Sequence, residues 1–420
     1  MDKLIIEGAK PLKGQVRISG AKNACLPILA ATLLTDDKCV IKNVPALGDV
    51  FTMLKILRSL GMNTIVKDDT ITVIPTSQRS HVTPYEFVST MRASVCVLGP
   101  LLAKMKKAEV SFPGGCVIGP RPIDLHLKGV RGLGAKIDVK EGNILARGKR
   151  LRGGHIYLGG HFGSSVLATA NVMMAATLSR GKTVIENAAC EPEVVDLAHF
   201  LKKMGAKISG IATHKIEVIG VDKLKGATHS VIPDRIEAGT FMIAAGMTKG
   251  DITIKNVRPD HLNCVIDRLR EAGLQIKTKK NQINVTYKNK LKPLDITTLP
   301  YPGFPTDLQA QMTTLMSVTG GISVVTEKIY PERFIHVSEL GRMGAEIKLE
   351  GPIAIINGVK GLSGAPVMAS DLRASAALIL AGLVAKGRTQ ISRIYHLDRG
   401  YEKIEKKLNS LGAKIWREKE

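Results

Sequence analysis

The hydrophobic pattern of the chain contains a unit that recurs six times, at intervals of about 70 residues. Each copy has an amphipathic stretch with apolar residues three and four apart, as in 194–204 and 264–272, which predicts a helix. A glycine follows each stretch, where a helix C-terminus favours a left-handed residue. These glycines are Gly61, Gly134, Gly205, Gly273, Gly344 and Gly412. The regular period indicates an internally repeated architecture.

A second helix recurs in the same units and is apolar or small on almost every face, which predicts that it is buried. Its six copies span 23–34, 92–105, 166–178, 235–247, 308–318 and 372–384. A strand pattern follows these copies, for example at 183–186 and 251–254. Each unit is therefore predicted to hold two helices and three or four strands, which makes the fold class α/β.

Six units in 420 residues favour two globular α/β lobes of three units each, with buried helices inside and strands outside. The first strand, 3–6, precedes the first complete unit, while the chain ends on the strand 414–416. Because each of these strands would otherwise lack a partner, we expect the first strand to join the C-terminal half.

Composition narrows the class of protein. Aromatic residues make up only 4% of the chain, so the core must be aliphatic. No apolar run is long enough to span a membrane, and the N-terminus lacks the apolar segment of a signal peptide. The six cysteines form no CxxC pair, which suits reduced cytoplasmic thiols. We expect neither a metal nor a cofactor, because no paired Cys/His pattern occurs and Ala176 occupies the glycine position of a P-loop.

The formal net charge of +23 leaves two classes of partner open. A basic surface can bind nucleic acid through its phosphates, or it can surround a site for anionic substrates. The lysines are dispersed, and the densest patches, 104–107 and 277–280, contain no aromatic residues on which bases could stack. We interpret most of the charge as a solvated surface, with a smaller contribution from an anion-binding cleft.

Residues 114–125 contain the densest candidate chemistry. Glycine and proline are too frequent there for a helix or a central strand, so a loop is predicted. The loop presents the thiol of Cys116 and, five residues later, the guanidinium of Arg121. Such a thiol can be a nucleophile or a proton donor, and the arginine can hold a phosphate or a carboxylate. A tight turn with a bystander cysteine is the alternative.

The other unusual residues lie next to the starts of the buried helices. Lys22 at a helix N-terminus opposes the macrodipole, which a bound anion would reconcile; a solvated lysine is the alternative. Asp307 and Asp371 each precede a helix that they could cap, and Asp307 could instead be a general base. Several cations on these loops suit a substrate with several negative charges, namely Lys22, Arg92, Arg121, Arg373 and Arg399.

Seven longer motifs occur along the chain, at 19–23, 113–119, 121–126, 186–189, 304–311, 371–374 and 395–402. Through them the chain resembles, over essentially its whole length, the UDP-N-acetylglucosamine 1-carboxyvinyltransferase family. These enolpyruvyl transferases begin peptidoglycan precursor synthesis. The resemblance therefore implies a part in cell-wall biogenesis, cell shape and cell division, and inhibition by the epoxide fosfomycin.

The resemblance also implies the architecture, a two-lobed inside-out α/β barrel with the active site in the cleft between the lobes. One lobe would comprise residues 22–229 and carry the Cys116 loop, and the other would comprise 1–21 with 230–420. The implied protein is a cytoplasmic enzyme, expected to be a monomer. It would use no cofactor and bind neither nucleic acid nor a membrane.

In the implied reaction, the enolpyruvyl group passes from phosphoenolpyruvate to the 3-hydroxyl of UDP-N-acetylglucosamine, and phosphate is released. The resemblance makes Cys116 the donor of a proton to the methylene carbon, and makes Asp307 the acceptor of the sugar hydroxyl proton. Lys22 and Arg121 would hold the phosphate. Arg373 and Arg399 would hold the carboxylate. The remaining implied substrate contacts are Asn23, Arg92, Pro122, Ile123, Asp124, Leu125, Gly163, Ser164, Ser165, Val166, Ile329 and Asp371.

One residue departs from the family pattern. Leu167 stands where the family has a glycine at the nucleotide-sugar site, so the segment 163–166 is a weaker match and reduced nucleotide-sugar affinity is expected. The nearest alternative is 3-phosphoshikimate 1-carboxyvinyltransferase, which shares the fold and the chemistry but lacks the loop thiol. The alternative from another class is a basic nucleic-acid-binding protein, which only the net charge favours.

Overall fold

The computed structural model describes residues 2–8, 10–114, 123–160 and 163–419. The chain divides into two compact units. The central unit contains the described residues from Gly20 to Ile232, and the terminal unit contains those up to Ser19 and from Pro233 onward. None of the helices in these described ranges is long and apolar enough to cross a membrane.

Three helical segments form the interior of the central unit. Lys22–Ala31 continues into the 3-10 turn Thr32–Leu34, the 3-10 helix Arg92–Val97 leads into Leu98–Met105, and the third segment is Val166–Ala176. Amphipathic helices pack against them at Gly48–Ser59, Tyr85–Val88, Asp124–Gly132 and Pro192–Lys203.

Three sheets and one short hairpin complete the central unit. In spatial order, the first sheet contains Thr228–Ser230, Cys39–Lys42, Thr70–Pro75 and Met62–Lys67. The second contains Lys107–Ser111, Asn143–Arg147 and Lys136–Lys140. The third contains Lys207–Ser209, Lys215–Ile219, Lys182–Glu186 and His155–Tyr157. The hairpin pairs Gly159–Gly160 with Gly163–Ser164.

The terminal unit repeats the same plan around its own core. Its buried helices are Arg235–Met247, Gln309–Ser317, preceded by the 3-10 turn Thr306–Leu308, and Leu372–Val384. Its other helices are Asn263–Glu271, preceded by the 3-10 turn Pro259–Leu262, then His336–Arg342, the 3-10 helix Ile394–Arg399, and Ile404–Asn409.

Three four-stranded sheets belong to the terminal unit. In spatial order, the first contains Gln275–Lys279, Gln282–Thr286, Asp251–Lys255 and Lys13–Arg17. The second contains Asp295–Thr297, Gly321–Thr326, Ile353–Gly358 and Glu346–Glu350. The third contains Pro366–Met368, Arg388–Ser392, Asp2–Glu7 and Lys414–Lys419.

The predicted repeat is confirmed in both units. The six buried helices occur within two residues of their predicted bounds, and every residue from Ile236 to Met247 is buried. The six glycines that follow the amphipathic helices have φ between 85° and 109°, the left-handed region in which glycine is not strained. The expected pairing of the first strand is also confirmed, because Ile6 lies opposite Ile415 in an antiparallel ladder. The chain is therefore an α/β protein.

Candidate active site

The terminal unit holds a carboxylate between two guanidinium groups. Nη1 of Arg333 lies 2.8 Å from Oδ1 of Asp307, and Nη2 of Arg373 lies 2.8 Å from Oδ2. Both arginines are buried, with exposures of 6% and 2%. The capping interpretation of Asp307 is wrong, because Pro305 occupies the position before the 3-10 turn and Asp307 lies inside that turn. Its side chain thus forms ion pairs with two arginines instead of capping a helix.

The two arginines control the basicity of Asp307. Burial alone would raise the pKa of its carboxyl, but the charges of Arg373 and Arg333 outweigh burial and hold that pKa well below its ordinary value. Burial likewise disfavours charged Arg373, and the charge of Asp307 outweighs burial, so the pKa of Arg373 is raised. Asp307 is therefore ionised across the neutral range, and its proton affinity stays low while both arginines contact it.

Arg373 is held at the start of the buried helix Leu372–Val384. Asp371 caps this helix, since its Oδ1 accepts the N–H groups of Arg373 at 2.8 Å and Ala374 at 3.2 Å. The guanidinium of Arg373 lies 5.4 Å from the centre of the Tyr401 ring. Among the described residues, Nε and Nη1 of Arg373 form no hydrogen bond of acceptable geometry. Two buried donors of one guanidinium can thus receive an anion.

Arg399 ends the 3-10 helix Ile394–Arg399 and is half-buried. Gly400 follows it and packs against the first residue of the Arg373 helix, because a Cβ at Gly400 would lie 2.5 Å from Cδ2 of Leu372. This close approach places the segment that carries Arg399 against the segment that carries Arg373. The terminal unit therefore brings together Asp307, Asp371 and Arg373 by direct contacts, with Arg399 on the adjoining segment.

Ile329 belongs to a turn that a buried carboxylate organises. Glu327 accepts hydrogen bonds from the backbone N–H groups of Ile329 at 2.8 Å and Tyr330 at 3.0 Å. The other oxygen of the same carboxylate accepts a hydrogen bond of 2.9 Å from the hydroxyl of Thr306, the neighbour of Asp307. Sequence reasoning missed Thr306, Glu327 and Arg333. Glu327 and Arg333 reach the segment of Thr306 and Asp307 through contacts between residues 21 to 27 apart, which no local pattern encodes.

Lys22 is one of the predicted cations in the central unit. It is the first residue of the helix Lys22–Ala31, and its ammonium lies 3.1 Å from Oδ2 of Asp49. Both side chains are buried. Asn23 follows it and is half-buried. The anion beside Lys22 in this structure is the carboxylate of Asp49. Sequence reasoning missed Asp49.

Arg92 starts the 3-10 helix Arg92–Val97 and donates to the carbonyl of Pro113 at 3.4 Å. Pro113 begins the Cys116 loop. A Cβ at Gly114 would lie 2.2 Å from the carbonyl oxygen of Ser89, so the entry to the loop needs glycine. The predicted site residues Cys116, Arg121 and Pro122 lie outside the described residues.

Described structure resumes at Ile123, which is buried and precedes the helix Asp124–Gly132. Asp124 is exposed and Leu125 is half-buried. The next residue, His126, is buried and its Nδ1 lies 3.0 Å from Nδ2 of Asn171. Asn171 also accepts from the N–H of Gly99 at 2.6 Å and donates to the carbonyl of Val95 at 2.7 Å, which ties this helix to two buried helices.

The segment 163–166 combines a hairpin strand and a helix start. Gly163 has φ of 90° and pairs across the hairpin with Gly160. Ser165 caps the helix Val166–Ala176, because its hydroxyl accepts the N–H of Ala168 at 3.3 Å. Ser164, Val166 and Leu167 are all half-buried. Leu167 therefore presents an accessible side chain in the first turn of this helix.

Because His336 is buried, we expect the stability of the terminal unit to depend on pH. Burial lowers the pKa of His336 to about 4, with Asp371 opposing the shift and Arg333 adding to it. The folded state therefore holds this histidine neutral at pH 5, whereas the unfolded chain, with an ordinary pKa of 6.5, binds a proton. Protonation of this histidine in the unfolded chain therefore has little effect on the free energy of unfolding above pH 6.5. Below that pH the free energy of unfolding decreases, until the pH reaches about 4.

We expect the free energy of unfolding to fall by about 2 kcal/mol more between pH 7 and pH 5 in the wild type than in His336→Phe, which cannot titrate. Urea unfolding at the two pH values measures this difference. His199→Gln, on an exposed helical surface, is the control and should retain the wild-type pH dependence. Identical pH dependence of the wild type and His336→Phe would contradict the prediction.

Comparison with known proteins identifies the family. The model of the EPSP synthase (3-phosphoshikimate 1-carboxyvinyltransferase) family matches residues 6–408. A UDP-N-acetylglucosamine 1-carboxyvinyltransferase of Myxococcus xanthus is 53% identical over 423 residues, which cover 100% of both chains. A protein of Carboxydothermus hydrogenoformans named UDP-N-acetylglucosamine 1-carboxyvinyltransferase 2 is 54% identical over 419 residues, which cover 99% of both chains.

Solved structures support the same fold. The enolpyruvyl transferase NikO from Streptomyces tendae superposes with a TM-score of 0.90 at 22% identity, covering 99% of this chain and 98% of the other. EPSP synthase from Acinetobacter baumannii superposes with a TM-score of 0.77 at 18% identity, covering 100% of both chains. The family match, the full-length relatives and the shared fold agree. The chain belongs to the family of UDP-N-acetylglucosamine 1-carboxyvinyltransferases, enolpyruvyl transferases with the two-domain, inside-out α/β fold of EPSP synthase.

Proposed function

We propose that the protein transfers the enolpyruvyl group of phosphoenolpyruvate to the 3-hydroxyl of UDP-N-acetylglucosamine and releases phosphate. The observation that carries the proposal is identity of 53% to a relative of that name over the whole chain. Within the described residues, the cluster of Asp307, Arg333 and Arg373 supplies the required chemistry, a carboxylate base among cations that bind anions.

Asp307 is the proposed general base. Its low pKa in the substrate-free protein makes it a weak base, since burial is outweighed by Arg373 and Arg333. We propose that Arg373 and Arg399 both donate hydrogen bonds to the carboxylate of phosphoenolpyruvate when that substrate binds. Sharing Arg373 with a second carboxylate weakens its hold on Asp307. The proton affinity of Asp307 then rises in the complex in which it must accept the sugar hydroxyl proton.

Residues of the central unit are proposed to act on the same substrates. Lys22, with Arg121, holds the phosphate, and Asn23 places the reacting groups. Cys116 protonates the methylene carbon of phosphoenolpyruvate, which makes the neighbouring carbon electrophilic. The buried carboxylate of Asp49 is the counter-ion of Lys22 when no substrate is bound. These proposed roles are distributed over the two lobes that the resemblance implies, at about 22–229 and at 1–21 with 230–420.

The proposed nucleotide-sugar contacts lie on several segments. They are Arg92, Arg121, Pro122, Ile123, Asp124, Leu125, Gly163, Ser164, Ser165, Val166, Asp307 and Ile329. Asp371 is a further proposed substrate contact. Leu167 occupies the first turn of the helix that Ser165 caps, and we propose that its side chain lowers affinity for the nucleotide sugar. The proposed reaction would start peptidoglycan precursor synthesis in the cytoplasm and so support cell shape and division. We further propose a monomer that binds no nucleic acid and is inhibited by fosfomycin.

A coupled assay tests this function. Purified protein should release phosphate from phosphoenolpyruvate only when UDP-N-acetylglucosamine is present. Shikimate 3-phosphate, the acceptor of the related transferase, should give less than about 1% of that rate, because the loss of matched contacts across a large acceptor exceeds 3 kcal/mol. Equal release with both acceptors, or release with neither, would contradict the proposed function.

A further inference from the structure

Glu327 is a fully buried carboxylate that receives four hydrogen bonds. No cation of the described residues lies within ion-pair distance of it, although Arg333 lies one residue away through Thr306. A buried charge without a paired cation is costly unless its lone pairs are all satisfied. The four donors satisfy them. Removing this acceptor would leave the four donors without a partner, which is itself costly in a buried place.

A carboxylate only accepts hydrogen bonds, and this fixes the direction of a chain that leads to Asp307. The hydroxyl proton of Thr306 is donated to Oε2 of Glu327 at 2.9 Å. The oxygen of Thr306 is then left to accept from Nη1 of Arg333 at 2.9 Å. The same Nη1 donates to Oδ1 of Asp307 at 2.8 Å. Each link runs in this direction because a guanidinium only donates, which leaves the hydroxyl proton of Thr306 for Glu327.

The second oxygen of Glu327 holds the neighbouring turn. Oε1 accepts from the N–H groups of Ile329 and Tyr330 at 2.8 and 3.0 Å, and from the hydroxyl of Thr298 at 2.6 Å. The ring of Tyr330 in turn lies 5.8 Å from the guanidinium carbon of Arg333. One carboxylate thus reaches Arg333 by two routes, through the Thr306 hydroxyl and through the turn that carries Tyr330.

We propose that Glu327 is a positioning residue for the reaction, which fixes Asp307 and the Ile329 backbone relative to each other. It acts on Asp307 through Thr306 and Arg333, and it touches no reacting atom itself. The inference rests on the proposed function in taking Asp307 as the base. Displacement of a base by about 1 Å is sufficient to lower the rate of a positioned reaction about 100-fold. The effect of Glu327 therefore appears in kcat.

The chain offers a matched set of variants. Thr306 and Thr298 each donate one hydroxyl to Glu327. Thr306 also accepts from Arg333, which contacts Asp307, whereas Thr298 accepts from the backbone N–H of Lys328 at 3.0 Å. We expect Thr306→Val to lower kcat about 10- to 100-fold with the KM of both substrates within about threefold. Thr306→Ser, which keeps the hydroxyl, should return kcat to within about threefold of the wild type. Thr298→Val should keep kcat within about threefold.

Equal loss of kcat in Thr298→Val and Thr306→Val would overturn the proposal, because it would mean that Glu327 only stabilises the fold. Glu327→Gln provides a second measurement, since its amide N–H faces the Thr306 hydroxyl and reverses that one hydrogen bond, while Arg333 can still only donate. If Glu327 acts through Thr306, the Glu327→Gln/Thr306→Val double variant should be no slower than the slower single variant, within about threefold. Losses of kcat that multiply would also overturn it.

Crystal structures without substrates decide the positioning independently of turnover. In Thr306→Val the distance from Nη1 of Arg333 to Oδ1 of Asp307 should exceed about 3.5 Å, the limit of a hydrogen bond, whereas Thr298→Val should retain a contact near 2.8 Å. An unmoved Asp307 in Thr306→Val overturns the proposal even if the wild type is active. An inactive wild type instead overturns the proposed function, and these structures still decide what Glu327 positions.

Discussion

Asp307→Asn is expected to lower kcat by about 10³-fold, because an amide of the same shape cannot accept the sugar hydroxyl proton. The assay is phosphate release at saturating phosphoenolpyruvate and UDP-N-acetylglucosamine. The substitution also removes the charge between two buried guanidinium groups at 2.8 Å. Its amide N–H must then face one of those donors. We therefore expect a second loss, of about 3–5 kcal/mol in the free energy of unfolding.

The two losses can be separated. Arg333→Met leaves Asp307 in place with one arginine, so it shares the structural cost but keeps the base. It should retain at least about tenfold more activity than Asp307→Asn at a temperature where circular dichroism shows both to be folded. Asp295→Asn is the control for a carboxylate of the same unit, because Asp295 is exposed and accepts from Val324 at 3.1 Å, and it should stay within about twofold. If Asp307→Asn kept a tenth of the wild-type kcat, Asp307 would not be the base.

The sequence was sufficient for the repeat because each of its signals is local. An amphipathic period of three and four, a glycine at the helix end and an apolar helix are written within about 20 residues, and the six copies agree. Burial of the apolar helices follows from their composition, since a helix apolar on all faces is stable only inside a core. The association of the first strand with the C-terminal half followed from counting strands without partners, whereas the register of Ile6 opposite Ile415 came from the structure.

The candidate site was less predictable because its contacts join distant segments. Asp307 resembled a helix cap until the structure placed Pro305 at the cap position and turned the carboxylate to Arg333 and Arg373. Asp371, with the same local pattern, does cap its helix. A single aspartate before a helix therefore has two outcomes. The choice depends on whether buried cations from distant segments reach it, which a local pattern cannot express.

Lys22 illustrates the same limit. Its position at a helix N-terminus indicated an anion, and the structure supplies one in Asp49, 27 residues away. The alternative of a solvated lysine is wrong, because Lys22 is buried, while the bound anion stays a prediction. A pattern of charges can thus indicate that a cation needs a neighbouring anion. Only tertiary contacts decide whether the protein or a substrate provides that anion. In the proposed reaction the phosphate joins Asp49 at this lysine.

Cys116→Ser is expected to abolish covalent inhibition by fosfomycin and to lower kcat about 10²- to 10⁴-fold, because a hydroxyl is a poor nucleophile and a poor proton donor at neutral pH. We expect the reaction to select this thiol because the other thiols are less reactive. Cys25, Cys39, Cys96 and Cys190 are buried, and burial raises the pKa of each thiol, that of Cys96 to about 12. Their thiolate populations at pH 7 are therefore negligible.

Cys264 is the decisive comparison, since it is the one described cysteine that is only half-buried. Burial also raises its pKa, although Arg268 opposes the shift. Mass spectrometry after incubation with fosfomycin and UDP-N-acetylglucosamine should find one adduct per chain, on the peptide that contains Cys116. Cys264→Ser should give the same adduct and wild-type kcat, whereas Cys116→Ser should give none. An adduct that persisted in Cys116→Ser would assign the reactive thiolate, and with it the proton donor, to another residue.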